Sequence, residues 1–150
     1  MRVFESLTDF IAAEGESLGT TSWMEVTQAK VDLFADATGD HQWIHTDPAR
    51  AAEGPFGGTI AHGLFTLSLL PVFLHELYSV EGISMAVNYG LNKVRFPAPV
   101  PVGSRVRATS TIDAVEKLEG AAQGTISTVI EVEGTDRPAC IVQSIVRYYA

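Results

Sequence analysis

The spacing of apolar residues along this chain changes period once, near residue 83. Before that point most apolar positions recur at helical intervals. Residues 7–13 predict a short helix and residues 19–26 a strand. The run TQAKVDLFADATG then offers Thr27 as an N-cap, Val31, Phe34 and Ala35 on one helical face, and Gly39 as a stop. Residues 48–52 predict one more helical turn, capped by Asp47 and opened by Pro48. The stretch 60–78, IAHGLFTLSLLPVFLHELY, is apolar on nearly every face until Glu76, so it predicts a long helix buried on all sides, with Pro71 bending or breaking it.

Beyond residue 83 the period becomes two. In SRVRATSTI, Val106, Ala108, Ser110 and Ile112 alternate with Arg105, Arg107, Thr109 and Thr111, and TISTVIEVEG and ACIVQSIVRYY repeat the pattern between EGAAQG and GTDRP turns. The prolines of FPAPVPVG exclude a central strand throughout and predict a bend or a sheet edge. The sum is an α+β chain with four or five antiparallel strands wrapped around one long buried helix. No repeat or linker divides it, so residues 1–150 are expected to form one domain.

Composition narrows the function. A formal charge of −8 and an isoelectric point near 4.8 argue against a sequence-independent grip on nucleic acid or an anionic membrane. An anionic small ligand would need a local basic patch. The lone Cys140 sits in an alternating apolar run and reads as a small buried hydrophobe. The N-terminus carries scattered acids and no continuous apolar core, unlike a signal peptide. The uncharged run 54–74 is interrupted by glycines and prolines, unlike a membrane span. A cytoplasmic protein is expected.

One stretch concentrates chemistry. GDHQWIHTD places Asp40, His41, His45 and Asp47 within nine residues of a chain that holds four histidines. Taken singly, Asp40 and His45 suit either loop hydrogen bonding or catalysis. His41 and His45 have metal-ligand spacing only on a helix, and Gly39 has just ended one, so no metal site is expected. With the order of elements above, this loop resembles that of the MaoC-like family of (R)-specific enoyl-CoA hydratases, which have the hot-dog fold. The family pattern G-D-x-N-P-x-H is matched by Gly39-Asp40-His41-Gln42-Trp43-Ile44-His45, and its later glycine-rich segment ending in AHG by Gly57 through Ala61-His62-Gly63. Gln42 and Trp43 depart from the family's Asn and Pro.

The resemblance implies reversible addition of water to a trans-2-enoyl thioester. Water adds to the β-carbon while negative charge grows on the thioester oxygen. The chemistry therefore needs a base, a proton source and an oxyanion donor. His45 is the expected base and Asp40 its partner in holding water, with the division of protons between them open. The backbone N–H of Gly63, in the first turn of a helix, is the expected oxyanion donor. Gln42, Trp43 and Phe56 are candidate substrate contacts, with Leu64 and Phe65 as further tunnel lining or core. Lys93 and Arg95, with Arg105 and Arg107 nearby in sequence, are candidates to meet carrier phosphates. His41 is expected to be a bystander, and His62 a packing or capping residue. The resemblance implies an acyl-CoA or acyl-carrier-linked substrate, no cofactor and a homodimer. A hot-dog thioesterase and a non-catalytic acyl-CoA-binding subunit remain as alternatives. The helix offers no carboxylate before Glu76 for the first, and a subunit without chemistry has no need of both Asp40 and His45.

Overall fold

Each helix in the first half is opened and closed by the residues its sequence supplies. The computed structural model describes all 150 residues. A short strand β1 (Arg2–Phe4) leads to α1 (Leu7–Ala12), where Ser6 accepts a hydrogen bond from the amide of Asp9. The segment predicted as one strand divides into β2 (Ser17–Thr20) and β3 (Met24–Glu25). Helix α2 (Gln28–Thr38) starts on the Thr27 hydroxyl and ends at Gly39, whose φ of 80° is left-handed and costs glycine nothing. Two single-turn helices follow, α3 (Trp43–Thr46) and α4 (Pro48–Ala52), the second capped by Asp47.

The long central helix of the sequence reading is two helices, α5 (Gly63–Ser68) and α6 (Leu70–Leu77). They meet at Leu69, because Pro71 has no amide to carry the hydrogen-bond ladder across. Residues 60–62 are extended instead: Ile60 bridges Pro101, and the Ala61 amide donates to the Val100 carbonyl. The helices are not buried all round either. Phe65, Leu70, Phe73, Leu74 and Leu77 enter the core, but Leu64 is 63% exposed and Val72 50%.

After β4 (Tyr78–Val80), which pairs with β1 in parallel, come the long strands β5 (Met85–Arg95), β6 (Arg105–Leu118), β7 (Ala121–Val132) and β8 (Cys140–Tyr149). The main sheet runs β2-β6-β7-β8-β5, with β3 also on β6, and its neighbouring strands are antiparallel. Alternation puts Val106, Ala108 and Ile112 of β6 opposite Val132, Ile130 and Ile126 of β7, all buried against the helices. Each such valine or isoleucine side chain contributes about 2 kcal/mol by leaving water. The buried hydroxyls of Ser110 and Thr128 satisfy each other at 2.8 Å.

Strand β5 is an edge, paired only with β8, and two bulges interrupt it. Tyr89 and Asn92 are the residues left without partners, and between them the alternation is displaced by one. Ala86, Asn88, Leu91 and Val94 oppose the inward residues of β8, whereas Met85, Val87, Gly90, Lys93 and Arg95 oppose outward ones. At the far end of α6, Phe4, Phe10, Tyr78 and Tyr148 form an aromatic cluster with ring centroids 4.9–6.4 Å apart. No helix is long and apolar enough to cross a membrane.

Candidate active site

The C-terminus of α2, the turn α3 and the start of α5 converge on three side chains. One carboxylate oxygen of Asp40 and one ring nitrogen each of His45 and His62 lie within 4.8 Å of one another. Asp40 follows the left-handed Gly39 directly, and its carboxylate, 55% exposed, faces solvent. His45, on α3, is buried in the wall. Its Nδ1 lies 2.6 Å from the Ile60 carbonyl oxygen, which can only accept, so the proton sits on Nδ1 and Nε2 presents a lone pair. A water bonded to two groups through contacts of about 2.8 Å at a tetrahedral angle spans roughly 4.6 Å, so a pair no more than 4.8 Å apart is within reach of one shared water.

The turn that carries His45 is fastened from behind. Gln28, at the first position of α2, donates from Nε2 to the His45 carbonyl at 2.7 Å and accepts from the Thr59 hydroxyl at 2.6 Å. The Ile60 amide donates to the Ile44 carbonyl at 3.0 Å, which brings the acceptor of the His45 ring alongside. Sequence reasoning passed over Gln28, because its partners lie 17 and 31 residues away and no local spacing marks them.

His62 also exceeds its expected role. It makes no side-chain cap at the start of α5. Instead its Nε2 donates to the Asp40 main-chain carbonyl at 2.9 Å and its ring stacks on His45, with centroids 3.8 Å apart and planes 28° apart. Stacked rings aim their in-plane lone pairs side by side, not at one point about 2.1 Å from each nitrogen, and two of the ring nitrogens already serve carbonyls. This geometry suits proton transfer better than metal binding. His41 lies outside the cluster, exposed, with Nε2 3.5 Å from Asp36.

Gly63 opens α5, where its amide has no intrahelical acceptor. Because α5 has six residues, the donor is one amide more than the dipole of a long helix. The ring of Phe96 lies across it: a Cβ on residue 63 would come within 3.0 Å of that ring. Phe96, which the sequence did not single out, shares with Phe56, Ile60, Gly63 and Thr66 the lining of a cavity of about 340 Å³. A larger cavity of about 410 Å³ lies between α6 and the start of β5, beside Pro71, Tyr78 and Ile83. Neither lining includes Asp40, His45 or His62; the smaller cavity is tied to the cluster through Gly63, which follows His62 in the chain.

The remaining candidates separate. Trp43 does not line the Gly63 cavity; its ring packs on Gly54 and carries the Arg50 guanidinium 4.4 Å above it. The Gln42 side chain points into no hydrogen bond within the chain, and its backbone caps α3. Arg105 and Arg107 are not free cations beside Lys93 and Arg95. Strands β7 and β8 stand between β6 and β5, and the two arginines pair with Glu133 and Glu131. Lys93 and Arg95 share the outer face of the sheet, without carboxylate partners. Glu76, on α6, is bound by the amide and hydroxyl of Ser22 at 2.6 and 2.7 Å, which holds its carboxyl below the usual range. Cys140 is buried, and burial pushes its thiol up to about 11, so it is no nucleophile.

The MaoC-like domain model matches residues 9–134, and the chain belongs to that family. It is 64% identical to 3-hydroxyacyl-thioester dehydratase Z of Mycobacterium tuberculosis over the full length of both chains. It is 46% identical to Nodulation protein N of Rhizobium leguminosarum bv. viciae, over 89% of this chain and 85% of that one. Among solved structures, the (R)-hydratase from A. caviae involved in PHA biosynthesis superposes with a TM-score of 0.72 at 26% identity, covering 89% of this chain and 94% of the other. The fold is thus the hot-dog architecture of these proteins.

Proposed function

We propose that this chain, as one hot-dog domain, is an (R)-specific enoyl-thioester hydratase that also runs the reverse dehydration of (R)-3-hydroxyacyl thioesters. The observation that carries the reading is the Asp40–His45 pair, held within 4.8 Å of each other with the second ring nitrogen of His45 free of hydrogen bonds. The full-length likeness to a 3-hydroxyacyl-thioester dehydratase supports it.

In the hydration direction, water held between Asp40 and His45 gives a proton to one of the pair, with His45 Nε2 the available base. Its oxygen bonds to the β-carbon, and the double-bond electrons move through the α-carbon to the thioester oxygen. The Gly63 amide bonds that developing oxyanion, which is worth on the order of 3 kcal/mol in a site closed to water. A proton returned to the α-carbon completes the product, and dehydration retraces the same steps. Phe56 lines the cavity beside Gly63 and would meet the acyl portion. Gln42 and Trp43, at the entrance to α3, would shape the approach. Lys93 and Arg95, free of carboxylates and leading directly to Phe96, are the cations that carrier phosphates would meet. An acyl-CoA or acyl-carrier thioester is the substrate class, no cofactor is required, and a cytoplasmic setting suits both.

A homodimer fits the same reading. The outer edge of β5 is unpaired, and Met85, Val87 and Leu91 on that strand are exposed. Sedimentation as a monomer at micromolar concentration would remove this part of the proposal. For the activity, purified protein is given crotonyl-CoA and a longer 2-enoyl-CoA, with conjugated-thioester absorbance and free thiol followed separately. Loss of conjugation without thiol is the expected result. Thiol release would mark a thioesterase, and no change in either signal a binding subunit. The thioesterase alternative lacks support from the helices, whose acid, Glu76, is committed to Ser22.

A further inference from the structure

The proposed chemistry gives roles to Asp40, His45 and Gly63 but leaves His62, the group that touches the first two, without one. We propose that His62 is a positioning residue for the catalytic pair: it fixes Asp40 through its main-chain carbonyl and backs the His45 ring, without touching substrate. This rests on the hydratase reading above.

The bland roles do not account for the side chain. A capping side chain accepts a hydrogen bond from an amide of the first turn, and the His62 ring accepts none. A packing residue would be cheaper as a hydrocarbon, because His62 is 3% exposed and its Nδ1 is buried without a hydrogen-bond partner. An imidazole does two things here that no aliphatic side chain does together. Its Nε2–H holds the Asp40 carbonyl at 2.9 Å, and its flat face lies on His45 at 3.8 Å, with the Phe34 ring tilted against it at 5.0 Å.

Asp40 needs such an anchor. Its carboxylate is exposed, and within the chain it accepts only a long bond from the Gln42 amide at 3.4 Å. His62 ties the Asp40 loop to the start of α5, the element that also presents the Gly63 amide. One side chain therefore links acid, base and oxyanion donor. The same ring offers an electron-rich face to a His45 that has taken a proton from water. A displacement of about 1 Å in such an arrangement costs on the order of a hundredfold in rate.

Three variants in the full chain test this with crotonyl-CoA: His62→Leu removes both contacts, His62→Phe restores the stack, and His62→Gln restores a donor. Turnover of His62→Leu is expected to fall at least about thirtyfold with KM within about threefold, and both other variants to recover part of the loss. Turnover within about threefold of the parent in His62→Leu would overturn the proposal. So would a rise in KM at unchanged kcat, which would mark a substrate contact. If His62→Leu does not fold, the other two decide: near-parent kcat in both supports neither contact and overturns the role, whereas a partial loss in each at unchanged KM supports it. Asp40→Asn and His45→Ala serve as references. If they stay active the hydratase site itself is misplaced, whereas active His62 variants beside inactive references refute the positioning role alone.

Discussion

The central helices end in two buried pairs of polar aromatics that are built on opposite principles. At the start of α5, His62 and His45 stack face to face, each giving its one N–H to a carbonyl, and the remaining nitrogens have no partner within the fold. Beyond the end of α6, Tyr78 and Tyr148 bond hydroxyl to hydroxyl, wedged among Phe4 and Phe10, so that each polar atom has the other as its partner. The second pair closes the fold. The first leaves a lone pair of His45 free, where the proposed base needs it. Disturbing the histidine end should cost rate, and disturbing the tyrosine end should cost stability.

The largest separation is expected from Asp40→Asn and His45→Ala, each lowering kcat at least about a hundredfold while thermal unfolding stays near that of the parent. Steady-state rates beside a melting curve on the same samples check this, and near-normal rates in both would dissolve the distinction. At the other end, Phe10→Ala removes a ring that is fully buried against Tyr78 and Tyr148. It should cost about 3–5 kcal/mol by denaturant titration, with kcat per folded molecule little changed. A parallel fall in kcat would show the two ends to be coupled.

The smallest effect is a pH dependence. Burial raises both tyrosines, Tyr148 to about 12 and Tyr78 further, and the hydroxyl contact between them raises Tyr78. In the unfolded chain both titrate near 10. The folded state therefore keeps its protons where the unfolded chain has lost them. Stability should be level in this respect below pH 10 and fall by at most about 1.4 kcal/mol per pH unit per tyrosine as pH rises toward 12. Denaturant midpoints at pH 9 and 11 should show that slope in the parent and lose it in a Tyr78→Phe, Tyr148→Phe double variant.

What the sequence made legible was local. Thr27 and Gly39 bound α2 because a cap needs only its neighbours, and the Asp40–His45 spacing stood out because both residues lie in one short stretch of sequence. The alternation of β6 to β8 named the inward residues because strand period does not depend on neighbours. What failed depended on strand order or on distant partners. Arg105 and Lys93 are close in the chain but have two strands between them in the sheet. His62 reads as an ordinary helix-start residue because its partners lie 17 and 22 residues upstream. The uncovered Leu64 and Val72 were unforeseen because hydropathy reports what a helix would bury, not whether anything covers it.

The two bulges of β5 set a rule for how this strand can change length. Tyr89 and Asn92 each shift the reading frame of the pleat by one, and together they restore it, so Val94 and Phe96 fall on the helix side and Arg95 on the other. Losing one of them would swing Phe96 away from Gly63, whereas losing both would leave it in place. Over generations of insertion and deletion, this edge should accept changes in pairs and reject them singly, a parity imposed by the pleat and enforced by the contact of Phe96 with Gly63.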